Sequence, residues 1–179
     1  MHKFAVMLIV TGIAGSALAN KLVASPQSVG GWDILDTSSE PQPRPWQFDA
    51  TLFSDARISL KFPDERVVLD VKCDGAGASI WVVWPKDAPF VPSHQPTTTV
   101  AWTLDGKATQ KTTFLVGKDE VDGPGVYLAG RAAFKWFAAL KTGGILAVQV
   151  GGAGQKAAFH LKGIRKVATT FKPRNCGSN

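Results

Sequence analysis

Few residues in this chain have the types and spacing that chemistry needs. Ser93 and His94 are neighbours in a proline-rich stretch. A Ser–His relay needs a base oriented by a third group and an oxyanion hole nearby, which adjacent residues in a loop do not supply. His160 alternates with Phe159 and Leu161, the spacing of an outward-facing strand residue. Two distant histidines and two cysteines leave too few ligands for zinc, particularly if the cysteines pair. Asp119-Glu120-Val121-Asp122-Gly123 is acidic enough to suggest calcium, but it lacks the alternating oxygens and distal Glu of an EF-hand loop. Gly151 to Gly154 resembles a phosphate cradle, yet a strand pattern follows it, so no helix N-terminus would face an anion. The expectation is no catalytic residue, no metal, no cofactor and no enzyme.

The cysteines carry a different message. Lys3 opens a short positive start, Phe4 to Ile13 is apolar, and Ala17-Leu18-Ala19 supplies a small-x-small cleavage pattern. Residues 1–19 are expected to be a signal peptide cut after Ala19, delivering a periplasmic or secreted protein. In an oxidising compartment Cys73 and Cys176, the chain's two cysteines, are expected to form a disulfide. No second apolar run approaches the ~18 residues of a membrane span, so none is expected after signal removal.

Charge and aromatic content give the candidate binding residues. Lys21 to Asp122 holds ten Lys/Arg against fourteen Asp/Glu, whereas nine Lys/Arg and no acid follow Asp122. Arg131 and Lys135, at i and i+4, and Arg165, Lys166 and Lys172 fall on the polar sides of two helical patterns. They read either as solvated faces or as one positive surface for an envelope protein, an anionic lipid or lipopolysaccharide. Export excludes nucleic acid. Among six tryptophans, Trp32, Trp46 and Trp81 are the candidates for stacking on sugar rings in a carbohydrate or cell-wall binding module.

These residues must be held by mostly β structure. Trp32 to Leu35 suits a first short strand, and the prolines of Pro41 to Pro45 exclude a central strand there. Period-two alternation runs from Arg57 to Phe62 and again through Leu69, Val71 and Cys73, with Asp70 and Lys72 outward. Ser79 to Trp84 is apolar on both faces and so predicts a central strand. Thr97 to Leu104 and Lys107 to Val116 flank Asp105-Gly106, a hairpin signal. Ala133, Trp136, Phe137 and Leu140 form one helical stripe over 131–141, followed by strands at 145–150 and 155–161. The same spacing returns at Ile164, Val167, Ala168 and Phe171 until Pro173.

The resulting fold class is α+β, mostly β: an antiparallel β-sandwich with two short amphipathic helices in the C-terminal third. After the signal, 20–47 reads as a lead-in with one short strand and the Pro-rich connection, 48–176 as a single β-rich domain, and 177–179 as a tail. Roughly 160 residues suffice to bury about 70% of the unfolded surface.

From about Asp49 to Cys176 the chain resembles the VasI-like family of periplasmic proteins associated with type VI secretion. The likeness lies in Leu69-Asp70-Val71-Lys72-Cys73, the strand Ser79 to Trp84, the hairpin Val100-Ala101-Trp102 through Asp105-Gly106, the helix Arg131 to Leu140, and Phe159 to Ile164 leading to a helix and Cys176. The resemblance implies an exported β-rich domain, a role beside a secretion apparatus, and no catalytic residues. The sequence reading is therefore an exported, non-enzymatic envelope protein with a binding or adaptor role.

Overall fold

Alternation of apolar and polar residues dictates a sheet with one dry face, and that is what the chain builds. The computed structural model describes residues 27–36, 48–57, 66–74, 77–86, 94–119, 123–151, 155–172 and 176. The signal segment, the Pro41–Pro45 connection, Trp46, the stretch 58–62, Ser93, residues 120–122, the 152–154 turn and the tail 177–179 lie outside these. The strands are β1 (Gln27–Val29), β2 (Trp32–Asp36), β3 (Phe48–Arg57), β4 (Arg66–Asp74), β5 (Gly77–Val83), β6 (Thr97–Leu104), β7 (Gln110–Asp119), β8 (Gly123–Ala129), β9 (Ile145–Val150) and β10 (Gln155–His160). The helices are α1 (Gly130–Leu140) and α2 (Ile164–Thr170), both late in the chain as expected.

All ten strands join one open antiparallel sheet in the order β1-β2-β3-β4-β5-β8-β7-β6-β9-β10. The chain skips from β5 to β6, then returns through β7 and β8, so that β8 fills the gap beside β5. The next connection must pass from β8 to β9 over β7 and β6, and α1 occupies it. The curl of the sheet brings β10 beside β3, to which it is not hydrogen-bonded.

The dry face is continuous. Leu69, Val71 and Cys73 on β4, Ile80 and Val82 on β5, Val126 and Leu128 on β8, and Phe159 on β10 belong to one buried cluster. The stripe read from the sequence, Ala133, Trp136, Phe137 and Leu140, is the buried face of α1. β5 lies in mid-sheet between β4 and β8, as its two apolar faces require. Cys73 and Cys176 form a disulfide, with 5.0 Å between Cα atoms and a sequence separation of 103.

Asp105 (φ 53°) and Gly106 (φ 67°) make the positive-φ pair of the β6–β7 connection. Asp105 also accepts hydrogen bonds from the backbone N–H groups of Gly144 and Ile145, both at 2.8 Å. Those two donors hold its carboxyl below the usual carboxylate range.

Several elements differ from expectation. β1 pairs with β2 through a Gly30-Gly31 turn, so the lead-in holds two strands that are part of the sheet. β3 runs upstream of the expected 57–62 strand and reaches Arg57, with Phe48, Ala50 and Leu52 on its buried face, while 58–62 lie outside the described residues. β8 was not expected at all. Its Pro124 and two glycines hide the strand pattern, and Pro124 is tolerated because it sits next to the strand's start. Trp84 is buried just beyond β5.

The β1–β2 turn meets the turn before α2 backbone to backbone. A Cβ on Gly30 would lie 2.4 Å from the Lys162 carbonyl oxygen, and one on Gly163 would lie 2.3 Å from that of Val29. Both glycines have positive φ, at 61° and 92°, so space and dihedral together demand the missing side chain.

Candidate functional site

The helix cations are presented by a pair of helices locked through one aromatic residue. Burying the α1 stripe turns Arg131 and Lys135 to solvent, and both are exposed. Ile164 and Val167 anchor α2, leaving Arg165 and Lys166 exposed. Phe171, immediately after α2, packs on Phe134 at 4.8 Å and on Phe137 at 4.9 Å between ring centroids. None of these four cations has a carboxylate partner among the described residues. Lys172 departs from the expected pattern: α2 ends at Thr170, so Lys172 lies beyond the helix and is half-buried.

Beside this surface, α1 and strands β6, β7 and β8 line a half-open cavity of about 270 Å³. Trp102, Thr112, Leu128, Ala132, Lys135 and Trp136 line it. The Trp102 indole N–H donates to the Thr112 hydroxyl at 3.0 Å, which fixes the ring on the β6–β7 hairpin. Trp136 meets Trp102 edge-on at 5.9 Å and Phe114 at 5.3 Å. Its own indole N–H is buried without an acceptor among the described residues.

The sheet face turned away from the core holds a second cluster. Asp70 alternates outward as expected, yet it is only 2% exposed. Its register neighbours are Thr51 on β3 and Trp81 on β5. Lys72 Nζ lies 2.7 Å from Asp70, and the Thr51 hydroxyl reaches Asp70 at 3.3 Å and Asp49 at 3.4 Å. Burial, followed by the hydrogen bond and charge of Asp49, raises the Asp70 carboxyl well above its ordinary range, and Lys72 only partly opposes this. Trp81 stacks on Tyr127 at 4.1 Å and 15°, with its N–H donated to Ser79. Gly117 leaves the space into which the Trp81 and Tyr127 ring edges reach. Leu115, the register partner of Tyr127, is 40% exposed.

The three sugar-stacking candidates therefore separate. Trp32 is fully buried on β2 and cannot stack on an external ligand, because its alternation places it in the core with Ile34. Trp46 lies outside the described residues. Trp81 is half-buried and keeps part of its ring exposed. His94 and His160 are both exposed, and no group of three His, Cys, Asp or Glu able to hold a metal occurs among the described residues. Sequence reasoning missed the cavity, Tyr127 and the Asp49–Asp70 pair. The last was legible in the Phe48 to Phe53 alternation, which places Asp49 and Thr51 on one face.

The fold is similar to one solved by crystallography, invasion associated protein B from Bartonella henselae. The similarity has a TM-score of 0.53 at 13% sequence identity and covers 82% of this chain and 94% of that one. At that identity the likeness is one of fold. Neither a protein-family model nor a curated protein sequence matches the chain.

Proposed function

We propose that this chain is an exported, non-enzymatic envelope protein that binds an anionic partner through the cations of α1 and α2. The observation carrying this reading is the pair of exposed couples, Arg131/Lys135 and Arg165/Lys166, on helices that Phe171 clamps together. With no acidic residue after Asp122, nothing on either helix neutralises them. The long-range disulfide supports export, since such bonds persist in oxidising compartments. We also read the curl that sets β10 beside β3 as a sandwich-like wrap supporting this helix pair. Association with invasion, from the fold neighbour's name, and association with type VI secretion, from the family resemblance, are two forms this role can take.

The test is crosslinked capture from an envelope fraction at about 0.1 M and 1 M salt, between which the screening length falls from roughly 10 to 3 Å. One partner is expected at low salt, lost at high salt and lost with Arg165→Glu/Lys166→Glu at unchanged melting temperature. Undiminished capture by that variant refutes the reading. The exposed pair is preferable to Lys172, whose reversal would also perturb packing.

A second reading rests on the Trp81–Tyr127 stack. Half-buried aromatic rings, with Asp70 as the register neighbour of Trp81, combine an apolar face with a hydrogen-bonding group, the pairing that sugars require. In that case glycan fragments change tryptophan emission, and Trp81→Ala abolishes the change.

A further inference from the structure

We propose that the cavity beneath α1 binds the apolar end of a small anionic amphiphile, with Lys135 at its rim holding the anionic group. For its anionic end the inference rests on the charge reading above. For its apolar end it rests on the cavity alone.

The walls define the ligand's body. Trp102 and Trp136, set edge-on, together with Leu128 and Ala132 give the cavity an apolar lining. Its 270 Å³ falls just below the roughly 300–1,000 Å³ of drug-sized ligand pockets. A short alkyl chain or a single ring fits that space, and a long acyl tail does not.

The polar groups define the head. Lys135 is the charged residue of the lining, and it is exposed, so its ammonium can meet a ligand's head group without being desolvated. No carboxylate lines the cavity, so the indole faces are all that would attract a cation, and the Lys135 charge opposes it. One further donor belongs to this wall. Thr112 accepts from Trp102 and keeps its own hydroxyl proton. A lining without a carboxylate and rimmed by a cation suits a ligand that brings anionic oxygens.

Two tryptophans in the wall make binding visible directly. The disulfide-intact chain is titrated with octanoate, 1-octanol and octyltrimethylammonium while tryptophan emission is followed. Octanoate is expected to give a saturable change, with octanol and the cation at least about tenfold weaker, a difference of about 1.4 kcal/mol. Lys135→Glu should weaken octanoate about tenfold. Ala132→Phe, which fills the cavity from an exposed helix position, should abolish the change without lowering the melting temperature. Arg165→Glu/Lys166→Glu should leave octanoate binding intact, which separates this inference from the surface reading. Absence of saturation, octanol binding as tightly as octanoate, or an unaffected Lys135→Glu variant overturns the proposal even where salt-sensitive capture persists.

Discussion

Opening the Cys73–Cys176 bridge tests how this fold is held together. The bond spans a separation of 103 residues. In the chain-entropy description a loop of that size restricts the unfolded chain by about 4.7 kcal/mol at 25 °C. That is a large share of the roughly 5–15 kcal/mol that stabilises an ordinary domain. For a chain of this length it corresponds to a fall in melting temperature of about 10–20 °C. The native contacts do not depend on the bond, because Ile164, Val167 and Phe171 keep α2 buried against the core. The reduced protein is therefore expected to stay folded but weakened. Urea unfolding followed by tryptophan emission, on the oxidised protein and on the same protein in reductant, isolates the cross-link and leaves both sulfurs in place. The denaturant slope should rise on reduction, since an unlinked unfolded chain exposes more surface. A loss below about 2 kcal/mol with an unchanged slope refutes the unfolded-state argument. A reduced protein already unfolded in buffer refutes the claim that packing alone retains α2.

Two further outcomes follow from local geometry. Burial raises the folded pKa of Asp70, so between its ordinary and raised values the folded chain binds more protons than the unfolded one, and the stability present at lower pH is lost as pH rises through that span. Asp70→Asn should flatten that decline from about pH 4 upward, with Lys72 turning to its register partner Asp49, and parallel curves for the two proteins would refute it. Gly30→Ala and Gly106→Ala share the strain of a positive φ, but only Gly30 meets backbone at 2.4 Å, whereas Gly106 has nothing within 4 Å. Thermal melts should show Gly30→Ala the worse by about 1–3 kcal/mol, and equal losses would refute the close contact.

How much was legible depends on whether a residue's environment is set by its own segment. The α1 stripe, the outward Asp70 and the positive-φ pair at Asp105-Gly106 are written in local periodicity or turn chemistry, and all three appear as read. The cysteine pairing needed only composition and an inferred compartment. β8 was not legible, because Pro124 and its glycines satisfy a pattern that only β5 and β7 complete. The burial of Asp70 was not legible either, since it comes from Thr51, Lys72 and Trp81 on three strands. Trp32 misled because its strand is short and its cover comes from distant parts of the chain. The cavity arises where α1 crosses strands reached by skipping and returning, a geometry that no single window of sequence contains. Lys172 was placed on α2 by spacing alone, and the helix ended before it.

The glycine contact between the β1–β2 turn and the turn before α2 has a consequence for the order in which this chain acquires its structure. Gly30 and Gly163 touch across nearly the whole described length, β10 lies beside β3, and Cys176 reaches back to Cys73. Each of these closures waits for the last part of the chain. Contacts so distant in sequence pay their loop-closure entropy before any packing is gained, which makes folding slow. The N-terminal hairpin pairs with β3 early but lacks its turn contact until Lys162 and Gly163 arrive. A chain emerging N-terminus first, from a ribosome or through a membrane pore, remains without its native closure until nearly all of it has come through.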